Sequence, residues 1–138
     1  MHSEDELTVG DIARACGVSP DTVRHYERKG AIPPAARRAN RYRSYPRAVV
    51  ARVLVVRRAL ALGFTIDELA RLFKKRALGK PPCREVRALA ERKLAEIEAR
   101  IAEMSALRET LAATIKEWDA RLKATAEAEP ALLLESLI

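Results

Sequence analysis

Eleven of the residues from Arg24 to Arg58 are Arg or Lys, and Glu27 is the one acid that opposes them. So dense a cationic segment repels itself and needs a polyanion to sit against, of which phosphate is the commonest. Tyr26, Tyr42 and Tyr45 stand among the cations. Rings interleaved in this way fix geometry, which argues against a disordered basic tail. A second chemical centre is Cys83, with Lys80, Arg84 and Arg87 around it. At the start of a helix, the positive helix end and those cations favour a thiolate. Catalytic sets are missing. The sequence holds two histidines, no Ser/His/Asp arrangement and no phosphate-cradling Gly-rich loop, so it does not read as an enzyme.

The elements that must position these residues are legible from caps and periodicity. Thr8 is an N-cap with Asp11 in the capping-box position, and Val9, Ile12, Ala13 and Cys16 follow at helical spacing until Gly17. Cys16 lies on the apolar face and reads as core. Ser19 caps a second helix with Pro20 at its first position, running to about Lys29 before Gly30. Two short helices joined by Gly17-Val18-Ser19 make a helix-turn-helix signature. Residues 41–45, Arg-Tyr-Arg-Ser-Tyr, fit a short strand in a basic loop, as a wing would. Pro46 is expected to open a third helix with Val49, Val53, Val56 and Leu60 as its apolar stripe and Arg52, Arg57 and Arg58 off it. Thr65 then caps a fourth, ending near Arg76.

Residues 79–82, Gly-Lys-Pro-Pro, read as a linker, and no Gly or Pro follows until Pro130. Ala90, Leu94, Ile97, Ile101, Met104, Leu111, Ile115, Trp118 and Leu122 recur at coiled-coil spacing, with Arg108 on the seam. Such a helix, roughly 60 Å long at 1.5 Å per residue, cannot bury its seam against one small domain. A homodimer is the economical reading, with Trp118 as dimer packing. Charge divides the same way: residues 1–82 hold 17 Lys/Arg and 8 Asp/Glu, residues 83–138 hold 9 and 11. Aromatics are 4% against 49% apolar residues, which suits packed helices. No run of about 18 apolar residues occurs, and no charged-then-apolar leader opens the chain. Two cysteines, Cys16 and Cys83, suit free thiols in a reducing compartment. A cytoplasmic protein with no membrane partner is expected.

Four stretches resemble the mercury-resistance-type (MerR) transcriptional regulators: Leu7 to Ser19, Thr22 to Gly30, Asn40 to Tyr45, and Leu62-Gly-Phe-Thr-Ile-Asp-Glu-Leu. The resemblance implies a mainly α fold. A winged helix-turn-helix domain occupies 1–78, a linker 79–82, an antiparallel coiled-coil dimerisation helix 83–124 and an effector or tail region 125–138. It also implies a dimer acting on double-stranded promoter DNA with RNA polymerase, bending and untwisting an overlong promoter spacer. DNA contact is implied for Ser19, Thr22, Arg24, His25 and Tyr26 on the second helix, and for Arg38, Arg41, Tyr42, Arg43 and Tyr45 in the wing. A solvated charge for Arg24, a surface side chain for His25 and a core ring for Tyr26 are the alternatives. The family usually has Gly where Arg41 stands, which adds one cation.

In metal-responsive members a cysteine matching Cys83 reaches thiols near the partner's C-terminus. Lys116 stands where the first of those would be, and Glu129-Pro130 where Cys-Pro would. A soft-metal site needs about three or four ligands. Three readings stay open: an inert Cys83, a redox- or electrophile-sensing thiol, or a mixed site for zinc or another divalent metal. The mixed site would join Cys83 to Asp119, Glu127 or Glu129 of a partner. Lys116 could instead pair with the Cys83 thiolate across the dimer. An effector-free architectural or excisionase-like DNA binder is the alternative function.

Overall fold

The computed structural model describes residues 6–37 and 43–138. It forms two compact units, Met1–Ala90 and Glu91–Ile138. The first opens with β1 (Glu6–Leu7) and α1 (Val9–Cys16), then α2 (Pro20–Arg28), β2 (Ala36–Arg37) and β3 (Arg43–Pro46). Next come α3 (Ala48–Ala61), α4 (Ile66–Ala77) and the first turns of α5 (Cys83–Ala124). The mainly helical, winged-helix architecture with one long final helix is the expected one.

Helix starts follow local chemistry. Thr8 accepts from Asp11 N while Asp11 accepts from Thr8 N, a complete capping box. Those hydrogen bonds, that from the Thr8 backbone first, hold the Asp11 carboxyl below its usual range. Thr65 and Glu68 repeat the arrangement at α4, at 3.1 and 2.8 Å. Gly17, at φ 66°, ends α1 in the left-handed conformation that side chains with a Cβ resist.

The third helix starts later than expected. Pro46 is the last residue of β3, and α3 begins at Ala48 with Arg47 as an N-cap lacking a side-chain bond. Pro46 can close a strand because the ladder does not require its missing N–H. The sheet is antiparallel with order β1-β3-β2; Leu7 faces Tyr45, and Ala36 faces Ser44. β1, only two residues long, carries no periodicity and was not expected from sequence.

The core collects Ile12, Val23, Val49, Val53 and Val56 with Tyr26, Tyr45 and Phe64. Cys16 is buried there, as expected, its Sγ directed at Val50 O (3.6 Å), and burial pushes its thiol pKa up. Leu89, on α5, is buried in the same cluster. Lys75 and Arg71 reach Glu85 at 2.6 and 3.9 Å, so the first turn of α5 is held to α4.

In the second unit α5 continues to Ala124, and a single 3-10 turn, Glu135–Leu137, lies in the tail. Trp118, expected on the seam, is half-buried and donates its indole N–H to Ser136 Oγ (3.0 Å). Ser136 in turn donates to Leu133 O. The apolar tail therefore folds back onto its own helix end. No described helix is long and apolar enough to cross a membrane.

Thr65→Ala removes one partner of the α4 capping box and should destabilise the protein by about 1 kcal/mol. Denaturant unfolding checks this; an unchanged midpoint would mean that the cap contributes nothing.

Candidate nucleic-acid interface

The second helix of the helix-turn-helix, α2, presents its polar residues outward because Val23 and Tyr26, three apart, share the buried face. Ser19 Oγ accepts from Thr22 N (3.1 Å) and shares a 2.8 Å hydrogen bond with Thr22 Oγ1, so both hydroxyls sit at the start of α2. Arg24 lies one turn on, its Nη1 2.8 Å from Asp21 Oδ1. Both partners are solvated, so the pair is worth at most about 1 kcal/mol and a phosphate oxygen can replace Asp21. His25, Arg28 and Lys29 are exposed along the same helix. Ser19, Thr22, Arg24 and His25 thus share one accessible stretch.

The tyrosines depart from expectation. Tyr26 is 5% exposed and belongs to the core cluster; burial pushes its phenol pKa up. Tyr45 is fully buried and donates its hydroxyl to Glu27 Oε2. Neither ring stands out from the surface to grip phosphate. Both are anchors, Tyr26 because it follows Val23 on the inward face and Tyr45 because β3 is the central strand. Arg38, Arg41 and Tyr42 lie outside the described residues. Arg43 lies on β3 in register with Arg37.

Two positioning residues were missed. Glu27 accepts from Ala35 N through Oε1 (3.0 Å) and from Tyr45 through Oε2. One carboxylate therefore joins the reading helix to the segment leading into the wing and to the wing's central strand. Its solitude among eleven cations was the available signal. Arg57, expected to lie off the α3 apolar stripe, donates from Nη1 to Cys16 O (2.7 Å) at the end of α1. This charge-assisted bond ties α3 to the turn before α2. A Cβ on Gly17 would stand 3.3 Å from that same Nη1, a tight contact beside a positive φ that already favours glycine.

Cys83 is exposed, at the first residue of α5. It borders an apolar cavity of about 900 Å³ between α3, α4 and the start of α5. Lys116 is exposed on α5. Among the described residues no group of three or more His, Cys, Asp or Glu converges. One exposed thiol per chain does not fit a thiolate-rich soft-metal site.

A capped reading helix, a wing tethered to it and a surrounding excess of cations define a winged-helix DNA-binding protein. Residues 7–76 match the MerR HTH family regulatory protein model, and residues 50–114 match the model described as MerR, DNA binding. The chain belongs to the MerR family of transcriptional regulators, which are not enzymes. It is 34% identical over 117 residues to the mercuric resistance operon regulatory protein of Serratia marcescens, covering 85% of this chain and 80% of that one. The HTH-type transcriptional regulator ZntR of Escherichia coli K12 is 30% identical over 104 residues, covering 75% and 74%. The transcription regulator PbrR691 from Ralstonia metallidurans CH34, solved in complex with lead(II), superposes with a TM-score of 0.75. It is 29% identical and covers 96% of this chain and 99% of that one.

The Glu27 tether makes a prediction of sign. Simple electrostatics says that removing a carboxylate from a DNA-facing helix strengthens binding. Here Glu27→Ala should weaken operator affinity by about tenfold or more, the worth of one charge-assisted hydrogen bond. Glu27→Gln, which keeps an acceptor for Ala35 N, should bind at least as well as wild type. Fluorescence anisotropy with an operator duplex measures both; tighter binding by the Ala variant would remove the tether from the account.

Proposed function

We propose that this regulator works as a homodimer, joined through the apolar face of α5, that places two winged-helix domains on a two-fold-related operator and changes the shape of promoter DNA. The uncovered face of α5 carries this reading. Leu94, Ile97, Ile101, Met104, Leu107, Leu111, Ile115 and Leu122 are each between 48% and 65% exposed. Covering such side chains is worth about 1.5–3 kcal/mol each when burial is complete. Leu107, adjacent to Arg108, supplies apolar surface where the heptad pattern put a cation. Two copies of α5 packed seam to seam, antiparallel as in the family's resemblance, would cover it.

Deforming a promoter by tens of degrees costs several kcal/mol on smooth-bending estimates. Two cationic domains can offset that with phosphate contacts. Arg24 and His25 with the hydroxyls of Ser19 and Thr22 read or grip the major groove from α2, and Arg38, Arg41, Tyr42 and Arg43 grip phosphates from the wing. RNA polymerase is the partner that responds to the altered DNA, which places the protein in the cytoplasm. An architectural binder has no use for an extended apolar seam on a 42-residue helix.

Relatives named for mercuric resistance, and one bound to lead(II), favour metal as a second reading of the signal. The single exposed thiol means that ligands such as Asp119, Glu127 or Glu129 would have to come from the partner subunit, and zinc would suit thiolate with carboxylate better than mercury. Zinc analysis of the purified protein tests this: stoichiometric metal lost in Cys83→Ser supports it, and metal-free wild type refutes it.

Ile101→Glu puts a charge on the seam and should turn a sedimenting dimer into a monomer. The winged-helix domain should keep its helical circular dichroism. A variant that still sediments as a dimer would show that α5 is not the interface. Transcription from a promoter with a long spacer should depend on wild-type protein and be lost with the monomeric variant.

A further inference from the structure

We propose that the cleft between the end of α2, the residues 32–34 segment and α4 is a binding site for a small multivalent oxyanion, of the phosphorylated or polycarboxylate class. The cleft has a volume of about 990 Å³, and Lys29, Arg52, Arg71, Lys74 and Arg76 line it against one carboxylate, Glu27. That carboxylate is committed to Tyr45 and Ala35. Lys29 and Arg71 reach Asp67 and Glu85 only at 3.8 and 3.9 Å, and Glu85 already holds Lys75 at 2.6 Å. Among the described residues no carboxylate lies within ion-pair distance of Arg52, Lys74 or Arg76.

Arg52 is the organising side chain. Its guanidinium carbon lies 3.8 Å from the centre of the Phe73 ring. The ring occupies one face of the guanidinium and leaves the in-plane N–H groups, which match paired oxyanion oxygens. Burial, and then the charge of Arg76, pull the Arg52 pKa down, and an anion between the two cations would offset both effects. A concave site of this size suits a small ligand. An anion held there would bridge Lys29, at the end of the reading helix, to α4, and so bias how that helix meets DNA.

The test uses the full chain with tripolyphosphate and citrate as probes, read by thermal melting and by operator binding at fixed ionic strength. Wild type should melt higher with either probe. Arg52→Gln/Arg76→Gln, and separately the exposed Lys74→Gln, should bind the probes about tenfold or more weakly, as loss of a charge-assisted hydrogen bond implies. Their operator affinity should stay near wild type. Three results would overturn the proposal. One is no shift in wild type. Another is a shift kept in the cleft variants but lost in Arg24→Ala, which places the anions on the DNA-reading face. The third is a fall in operator affinity and in its salt dependence in the cleft variants, which makes the cleft a track for the DNA backbone.

Discussion

One half-buried carboxylate, Glu27, organises the candidate DNA-binding surface. A reading helix and a wing are useful only if they are held at a constant relation, and cations on both push them apart. Glu27 supplies the opposing interaction from within the reading helix, joining Ala35 and Tyr45 at once. Tyr45, fully buried on the central strand, transmits that hold to the core. Arg57 does the complementary task on the other side, bonding the α1 terminus at Cys16 O. The relation of helix to wing thus rests on contacts within the protein, from Glu27 to Ala35 and Tyr45 and from Arg57 to Cys16.

Local signals were legible in the sequence, and non-local ones were not. Thr8, Ser19 and Thr65 each cap within three residues of themselves, so their side chains announce helix starts directly. The α3 stripe of Val49, Val53 and Val56 is likewise a property of one helix. Tyr26 and Tyr45 look the same in sequence whether they face DNA or core, because a phenol serves both. Only the packing of α2 and β3 decides, and it decides for core. Glu27 was visible as the lone acid, yet its two partners lie 8 and 18 residues away. The strand β1 is too short to carry a pattern at all.

The second unit shows the same division. Its heptad pattern is periodic and legible along one helix, and the apolar face it forecasts is present and uncovered in the single chain. The tail was less readable. A run of leucines near Pro130 signals only that it must pack. The contact from Trp118 to Ser136 closes that segment onto its own helix. Cys83 is an exposed thiol, and among the described residues no group of three or more His, Cys, Asp or Glu converges.

In the proposed dimer, cationic surfaces act in two copies on one duplex. The salt dependence of binding, compared between a full two-fold operator and a single half-site, tests it most directly. Each phosphate contact contributes a slope of about −0.9 in log affinity against log salt. A steep negative slope is expected on the full operator, about twice that on the half-site. A shallow slope, or equal slopes on the two duplexes, would contradict it.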